Sequence, residues 1–322
     1  MPELDPSPGK PLMKRFIPML PGIYLTAFDC PDLFSALDPD TLADSASVWQ
    51  TDVSRYSPWV REELAVPGGD RLPFWRAEGY RGGATVFITG ACPSTMNVAR
   101  DLVALKLMSP WDSVLAVEQS AGRGRKERTW ISPAGNVYGS WYWPRPGESG
   151  SALASLLAAT AVASGLERKG IPIRIKWPND LIVNDRKVCG ILVEDRGGDI
   201  VVGIGINIVS APPDAQLRDD FVIPAARLDS VKPGITPLAL WVDLVESGRT
   251  LVEELSGSLS PAEFVRVFEG RMAWIGRKVL IRRGSEAPFP ATIIGTSEDG
   301  GLKIRREGRI EVLYTASMIP TE

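Results

Sequence analysis

A chain of 322 residues is long enough for two or three domains, and 44% hydrophobic with 23% charged residues excludes a fibrous or wholly disordered protein. The formal charge of −3 gives no overall electrostatic reason for polyanion binding, so any anion site has to be local. The complete absence of histidine removes Ser-His-Asp and Cys-His nucleophile systems and every His-ligated metal site.

In chain order, the apolar stretch from Phe16 to Phe28 is short and interrupted by Pro18 and Pro21, which suits neither a membrane span nor a signal sequence. Residues 1–80 hold many prolines and scattered tryptophans without a sustained period, so pattern leaves their structure undetermined. Trp49, Tyr56, Trp59 and Trp75 are expected in a local core. This region carries 7 Lys/Arg and 12 Asp/Glu, net −5, a poor surface for a phosphate backbone, and no DNA binding is expected of it.

From residue 84 the text becomes regular. Strands are expected at 84–89, 113–118, 136–143, 173–177, 188–194 and 200–208. Helices are expected near 93–95, over the Ala-rich run 149–166 and between Pro237 and Gly270. Past Trp274, short strands at 277–282, 289–295, 301–305 and 309–314 alternate with Gly and charged turns, the signature of a small β-barrel. The expected organisation is an N-terminal region 1–80, a catalytic domain 81–270 of the α+β class and a C-terminal barrel 271–322. Cys30, Cys92 and Cys189 lie far apart, which fits reduced thiols in a cytoplasmic protein, with Cys189 a small core residue.

Three segments carry chemistry. In Glu118–Trp130, Gly122 and Gly124 let backbone approach a ligand while Arg123, Arg125, Lys126 and Arg128 concentrate positive charge, which suits a phosphate. Lys176-Trp-Pro-Asn-Asp180 breaks a strand and mounts amide, carboxylate and lysine side chains at its end, although read alone it is also an ordinary strand-capping turn. Asp185–Glu194 feeds a strand with Lys187 just ahead of its apolar run, and Gly190 permits close approach to the sheet. Gly203-Ile-Gly-Ile-Asn207 lacks a third glycine and a following helix, so it is no dinucleotide fingerprint; it reads as a buried strand with Asn207 satisfied at its end.

Joined in this order and preceded by Pro93–Ala99, these segments closely resemble the biotin protein ligase family over roughly residues 84 to 320. The resemblance implies a class II synthetase-like mixed sheet with flanking helices, followed by an SH3-like barrel. It implies ATP-dependent activation of biotin as biotinyl-5′-AMP and transfer to a lysine of a biotin carboxyl carrier domain of a carboxylase or decarboxylase. ATP is then the co-substrate, Mg²⁺ its companion, and a homodimer is compatible. By motif, Ser94, Thr95, Gln119, Gly122, Arg123, Lys187 and Gly190 would bind biotin. Arg123, Arg125, Arg128, Trp130, Asn179, Lys187 and Asn207 would bind ATP or the adenylate. Lys187, Arg123 and Arg125 would serve catalysis, with Asp180 orienting or helping to deprotonate the carrier lysine, and no protein metal site is expected.

The sequence departs from the family pattern at Glu127, which stands where the basic loop usually has a third glycine, and the expectation is that Glu127 points outward. Other readings are a lipoate or octanoyl protein ligase, whose loop differs, and a non-catalytic biotin sensor.

Overall fold

The computed structural model describes residues 20–30, 32–65, 71–125, 128–144, 148–216 and 221–321. Lys126 and Glu127, and with them the expectation about Glu127, lie outside the described residues.

The elements run β1 (Gly22–Thr26), α1 (Pro39–Ser45), α2 (Ser47–Arg55), β2 (Trp59–Ala65), β3 (Arg71–Ala77), β4 (Thr85–Cys92), α3 (Thr95–Ala104), β5 (Ser113–Gln119), β6 (Val137–Trp143) and α4 (Glu148–Arg168). They continue with β7 (Arg174–Lys176), β8 (Asp180–Val183), β9 (Arg186–Arg196), β10 (Asp199–Ile206), α5 (Pro237–Ser258), α6 (Pro261–Glu269), β11 (Lys278–Arg282), β12 (Phe289–Thr296), β13 (Leu302–Arg306), β14 (Arg309–Leu313) and β15 (Ser317–Pro320). Among the described residues the first ten strands form one mixed sheet in the order β2-β3-β1-β4-β5-β6-β10-β9-β8-β7, parallel at β1–β4 and β4–β5 and antiparallel elsewhere. The last five form a separate antiparallel sheet in the order β14-β13-β12-β11-β15.

Strand alternation divides the core between the two faces of the large sheet. Val86, Ile88, Leu115, Val202 and Ile204 pack with α4 and α5, whereas Phe87, Val114, Ala116 and Val201 pack with Met96, Val98 and Leu102 of α3. A sheet covered on both faces has near-continuous apolar strands, and β4, β5 and β10 read that way. No helix among the described residues is long and apolar enough to cross a membrane.

Residues 22–77 supply three strands beyond β4, and Trp49 is fully buried in the same core as β4, β5, β6, β9 and β10, with Tyr56, Trp59 and Trp75 packed against that core. Asp52 of α2 fixes this layer to α5. Its buried carboxylate accepts hydrogen bonds from Thr236 Oγ1 (2.6 Å), Leu238 N–H (2.8 Å) and Ala239 N–H (3.1 Å). These N–H groups are the unpaired donors of the first turn of α5, so Asp52 caps that helix from a distance. Asp52→Ala strands three polar groups away from water and should cost about 3 kcal/mol. A lowered urea midpoint checks this, and an unchanged midpoint would contradict the capping role.

The C-terminal sheet is tied to the Lys176–Asp180 segment. Trp177 Nε1 donates to Gly300 O (2.9 Å), Trp274 Nε1 donates to Asp185 Oδ1 (2.6 Å), and Ile175 exchanges backbone hydrogen bonds with Arg271 and Ala273 (2.8 Å each).

Candidate functional site

A cavity of about 630 Å³ opens on the α3 face of the sheet. Its floor follows from the period of two along β9 and β10. Val201, Gly203 and Gly205 point to the α3 side in turn, as do Gly190 and Leu192 on β9, and Gly190 stands directly opposite Gly205 in the register. Where α3 ends its coverage the strands present hydrogen in place of side chains. A Cβ at Gly203 would meet Met96 Sδ at 2.7 Å, and Cβ atoms at Gly190 and Gly205 would meet the Trp130 indole at 2.7 and 2.5 Å. The indole of Trp130 therefore lies flat on a glycine platform, its Nε1 buried without a partner.

One wall is a polar relay built around Gln119 at the end of β5. Its Oε1 accepts from Thr95 N–H (2.9 Å) and Thr95 Oγ1 (3.2 Å), so Gln119 caps α3 in place of Ser94, whose side chain makes no cap bond. Gln119 Nε2 donates to Ser132 Oγ (2.9 Å), Ser132 Oγ donates to Trp130 O (2.9 Å), and Ser140 Oγ donates to Thr95 Oγ1 (2.8 Å). Gly122 must be glycine here, because a Cβ would meet Ser132 Oγ at 2.7 Å and Gln119 Nε2 at 2.9 Å. Ser94 and Thr95 are both buried in this wall.

The opposite wall is charged. Asp180, the first residue of β8, accepts from Lys187 Nζ (2.6 Å, Oδ1) and Lys176 Nζ (3.0 Å, Oδ2). Burial alone would raise the Asp180 carboxyl, but the two ammonium groups prevail and hold it well below the usual carboxylate range. Lys187 Nζ also stands 5.1 Å from the Trp130 ring centroid, within cation–π range. Arg125 Nη1 donates to Asn179 Oδ1 (3.0 Å), and Asn179 Nδ2 donates to Ile191 O. Burial pulls the Arg125 guanidinium down from its ordinary value while Asp180 supports it, and an arginine so placed stays charged. Arg123 Nη1 lies 3.4 Å from Glu194 Oε1, and its Nε and Nη2 are buried without partners. Asn207 is buried at the end of β10 and donates through Nδ2 to Ala226 O (3.3 Å).

The structure thus brings Ser94, Thr95, Gln119, Arg123, Arg125, Arg128, Trp130, Asn179, Asp180, Lys187, Gly190 and Asn207 around one cavity, with Gly122 in the wall behind Gln119. Cys189 is buried on the far face, where burial pushes its thiol up despite Lys187, as suits an inert core residue. Sequence reasoning missed Gly203 and Gly205 as floor, Ser132 and Ser140 as relay members, and Ala316–Ser317 at the cavity edge. The glycine spacing of two was the available signal for the floor; the serines gave none. Asp180 opens β8, whose register with β9 sets it beside Gly190.

Against known proteins, residues 90–209 match the model of the Biotin/lipoate A/B protein ligase family. The chain is 30% identical over 219 residues to the biotin–[acetyl-CoA-carboxylase] ligase of Paracoccus denitrificans, covering 65% of this chain and 90% of that protein. A biotin protein ligase from Aquifex aeolicus in complex with biotin and ATP superimposes with a TM-score of 0.62 at 24% identity, covering 74% of this chain and 99% of that one. The Leishmania major biotin protein ligase in complex with biotinyl-5-AMP gives 0.52 at 25% identity, covering 73% and 100%.

Proposed function

Because this chain belongs to the biotin protein ligase family, we propose that its cavity holds biotin beside the Gln119 relay, against the Trp130 indole seated on Gly190 and Gly205, and ATP along the charged wall. The chain is an ATP-dependent biotin ligase that forms biotinyl-5′-AMP. The observation that carries the site assignment is the Trp130 indole seated on the paired Gly190 and Gly205, set against Arg123, Arg125 and Lys187.

The relay supplies both donors and acceptors, which a ureido ring requires. In the first half-reaction the biotin carboxylate attacks the α-phosphorus of ATP and pyrophosphate leaves. The entering carboxylate and the phosphates repel each other, so alignment and cation placement are the main catalytic needs. Lys187 and Arg125 face that charge from the Asp180–Asn179 side and Arg123 from the loop. Arg123 lines the cavity with Nη1 near Glu194 and with Nε and Nη2 enclosed by protein, so what it offers the phosphates is its positive charge.

Mg²⁺ is expected to enter on the phosphates of ATP. The described residues contain no cluster of three or more acidic or thiol groups suited to a metal, and Asp180 is already shared by two lysines. That donor set fits a cation carried by substrate oxygens and water rather than a dedicated protein cage.

In the second half-reaction a carrier lysine attacks the mixed anhydride and AMP leaves. That amine must first lose its proton. A carboxylate held as acidic as Asp180 is a weak base, so its role here is to set Lys187 and Lys176 in place and orient the incoming amine. The acceptor is the biotin carboxyl carrier domain of a carboxylase or decarboxylase.

The test is to mix the protein with biotin and MgATP without any acceptor and look for pyrophosphate release and a retained biotinyl adenylate. Adenylate from lipoate or octanoate but not biotin would favour the related acyl ligases. Biotin binding without pyrophosphate release would favour a sensor, and no binding would overturn the site.

A further inference from the structure

On β9, residues 190, 192 and 194 point to one face. Gly190 lies in the floor and Leu192 packs beside α3, while Glu194 stands at the rim with its side chain 21% exposed. Its two oxygens have different partners. Oε2 accepts from Arg100 Nη2 of α3 (2.7 Å) and from Arg196 Nη2 (3.3 Å), whereas Oε1 faces Arg123 Nη1 (3.4 Å). One carboxylate therefore ties together β9, the helix whose first turn holds Gln119, and the basic loop.

Arg123 sits on a loop, and among the described residues its ion pair is with Glu194. A guanidinium presents its donors in a rigid fork, so fixing one nitrogen fixes the direction of the others. With Nη1 turned to Glu194, Nε and Nη2 remain buried and unpartnered. Glu194 cannot itself meet a substrate carboxylate or phosphate without repulsion. Nor does it cancel the charge of Arg123, since three guanidiniums share its single negative charge.

We propose that Glu194 is a positioning residue for Arg123: braced by Arg100, it holds the guanidinium in the cavity wall so that its positive charge faces the reacting carboxylate and α-phosphate. This rests on the ligase reading of the cavity. It makes the electrostatic effect of Arg123 depend on a residue that touches neither substrate.

The experiment measures single-turnover adenylate formation by the wild-type enzyme, Glu194→Gln, Arg123→Ala and the double variant, with thermal midpoints for each. Glu194→Gln keeps the shape and removes the charge; it should lower the adenylation rate about tenfold, since the opposite charge facing the guanidinium at 3.4 Å is lost, and should lower the midpoint through the Arg100 pair to the same extent whether Arg or Ala stands at position 123. In the Arg123→Ala background the same change should have no further effect on the rate, because coupled residues fail to add. Wild-type kinetics in Glu194→Gln, or losses that multiply in the double variant, would overturn the positioning role. Should Glu194→Gln fail to fold, Glu194→Asp retains the charge with a shorter reach; its partial loss should likewise vanish beside Arg123→Ala, and multiplying losses overturn the proposal equally. A wild-type protein that forms no adenylate overturns the ligase reading and this role together, whereas an active one with multiplying losses overturns this role alone.

Discussion

Lys187→Ala is expected to slow adenylate formation by roughly 10²–10³-fold, the cost of removing one preorganised donor from a site where negative charge gathers. Lys187 is held by the Asp180 carboxylate at 2.6 Å and lies over the Trp130 ring, so its ammonium is already in place before substrate arrives. The fold should survive the change. Asp180 keeps Lys176 at 3.0 Å, which prevents the carboxylate from being left alone and buried. Rapid-quench measurement of pyrophosphate release, beside a melting curve, checks both halves of this expectation. A wild-type rate would remove Lys187 from the chemistry.

The second large effect is steric. Gly205→Val should weaken biotin binding by about 10- to 100-fold, because a branched side chain would stand where a single Cβ already meets the Trp130 indole at 2.5 Å. Overpacking a filled site costs about 1–3 kcal/mol, and here it also displaces the Trp130 indole that lines the cavity. Valine favours strands, and the pairing of β10 with β6 and β9 needs only its backbone. The sheet should therefore persist while calorimetric biotin binding weakens. Retained wild-type affinity would show that the ligand lies elsewhere than against the Trp130 indole on the Gly190–Gly205 platform.

Much of the fold was legible where one physical signal dominated. The strands β4, β5 and β10 are largely apolar on both faces because helices cover most of both, and the Ala-rich run became α4. The three strands before residue 80 were illegible for identifiable reasons. β2 lies at the sheet edge and carries Arg61, Glu62 and Glu63 in succession, which hides any alternation. β3 contains Pro73, a residue that argues against an internal strand. The chain accommodates it because the β1–β3 register ends at Phe74, so Pro73 need not supply an N–H to β1. β15 is four residues long and closes on Pro320, too short to show a period.

The site divides in the same way. Residues whose type announces charge or flexibility, such as Arg123, Arg125, Lys187 and Gly190, could be singled out because their chemistry is unusual in a strand or loop. Ser132 and Ser140 could not, since their importance arises only when Gln119 and Thr95 are brought together from β5 and α3. Glu194 closes the Asp185–Glu194 segment in sequence, but its link to Arg100 and Arg123 exists only once α3 and the basic loop are brought beside β9.

Whether this cavity transfers biotin to protein is tested by ATP-dependent incorporation of labelled biotin into a carrier domain, located by mass spectrometry. The account predicts label on the carrier's target lysine, none without ATP, and none on a carrier with that lysine changed to arginine. Adenylate that forms and stays bound while several intact carriers remain unlabelled would contradict it.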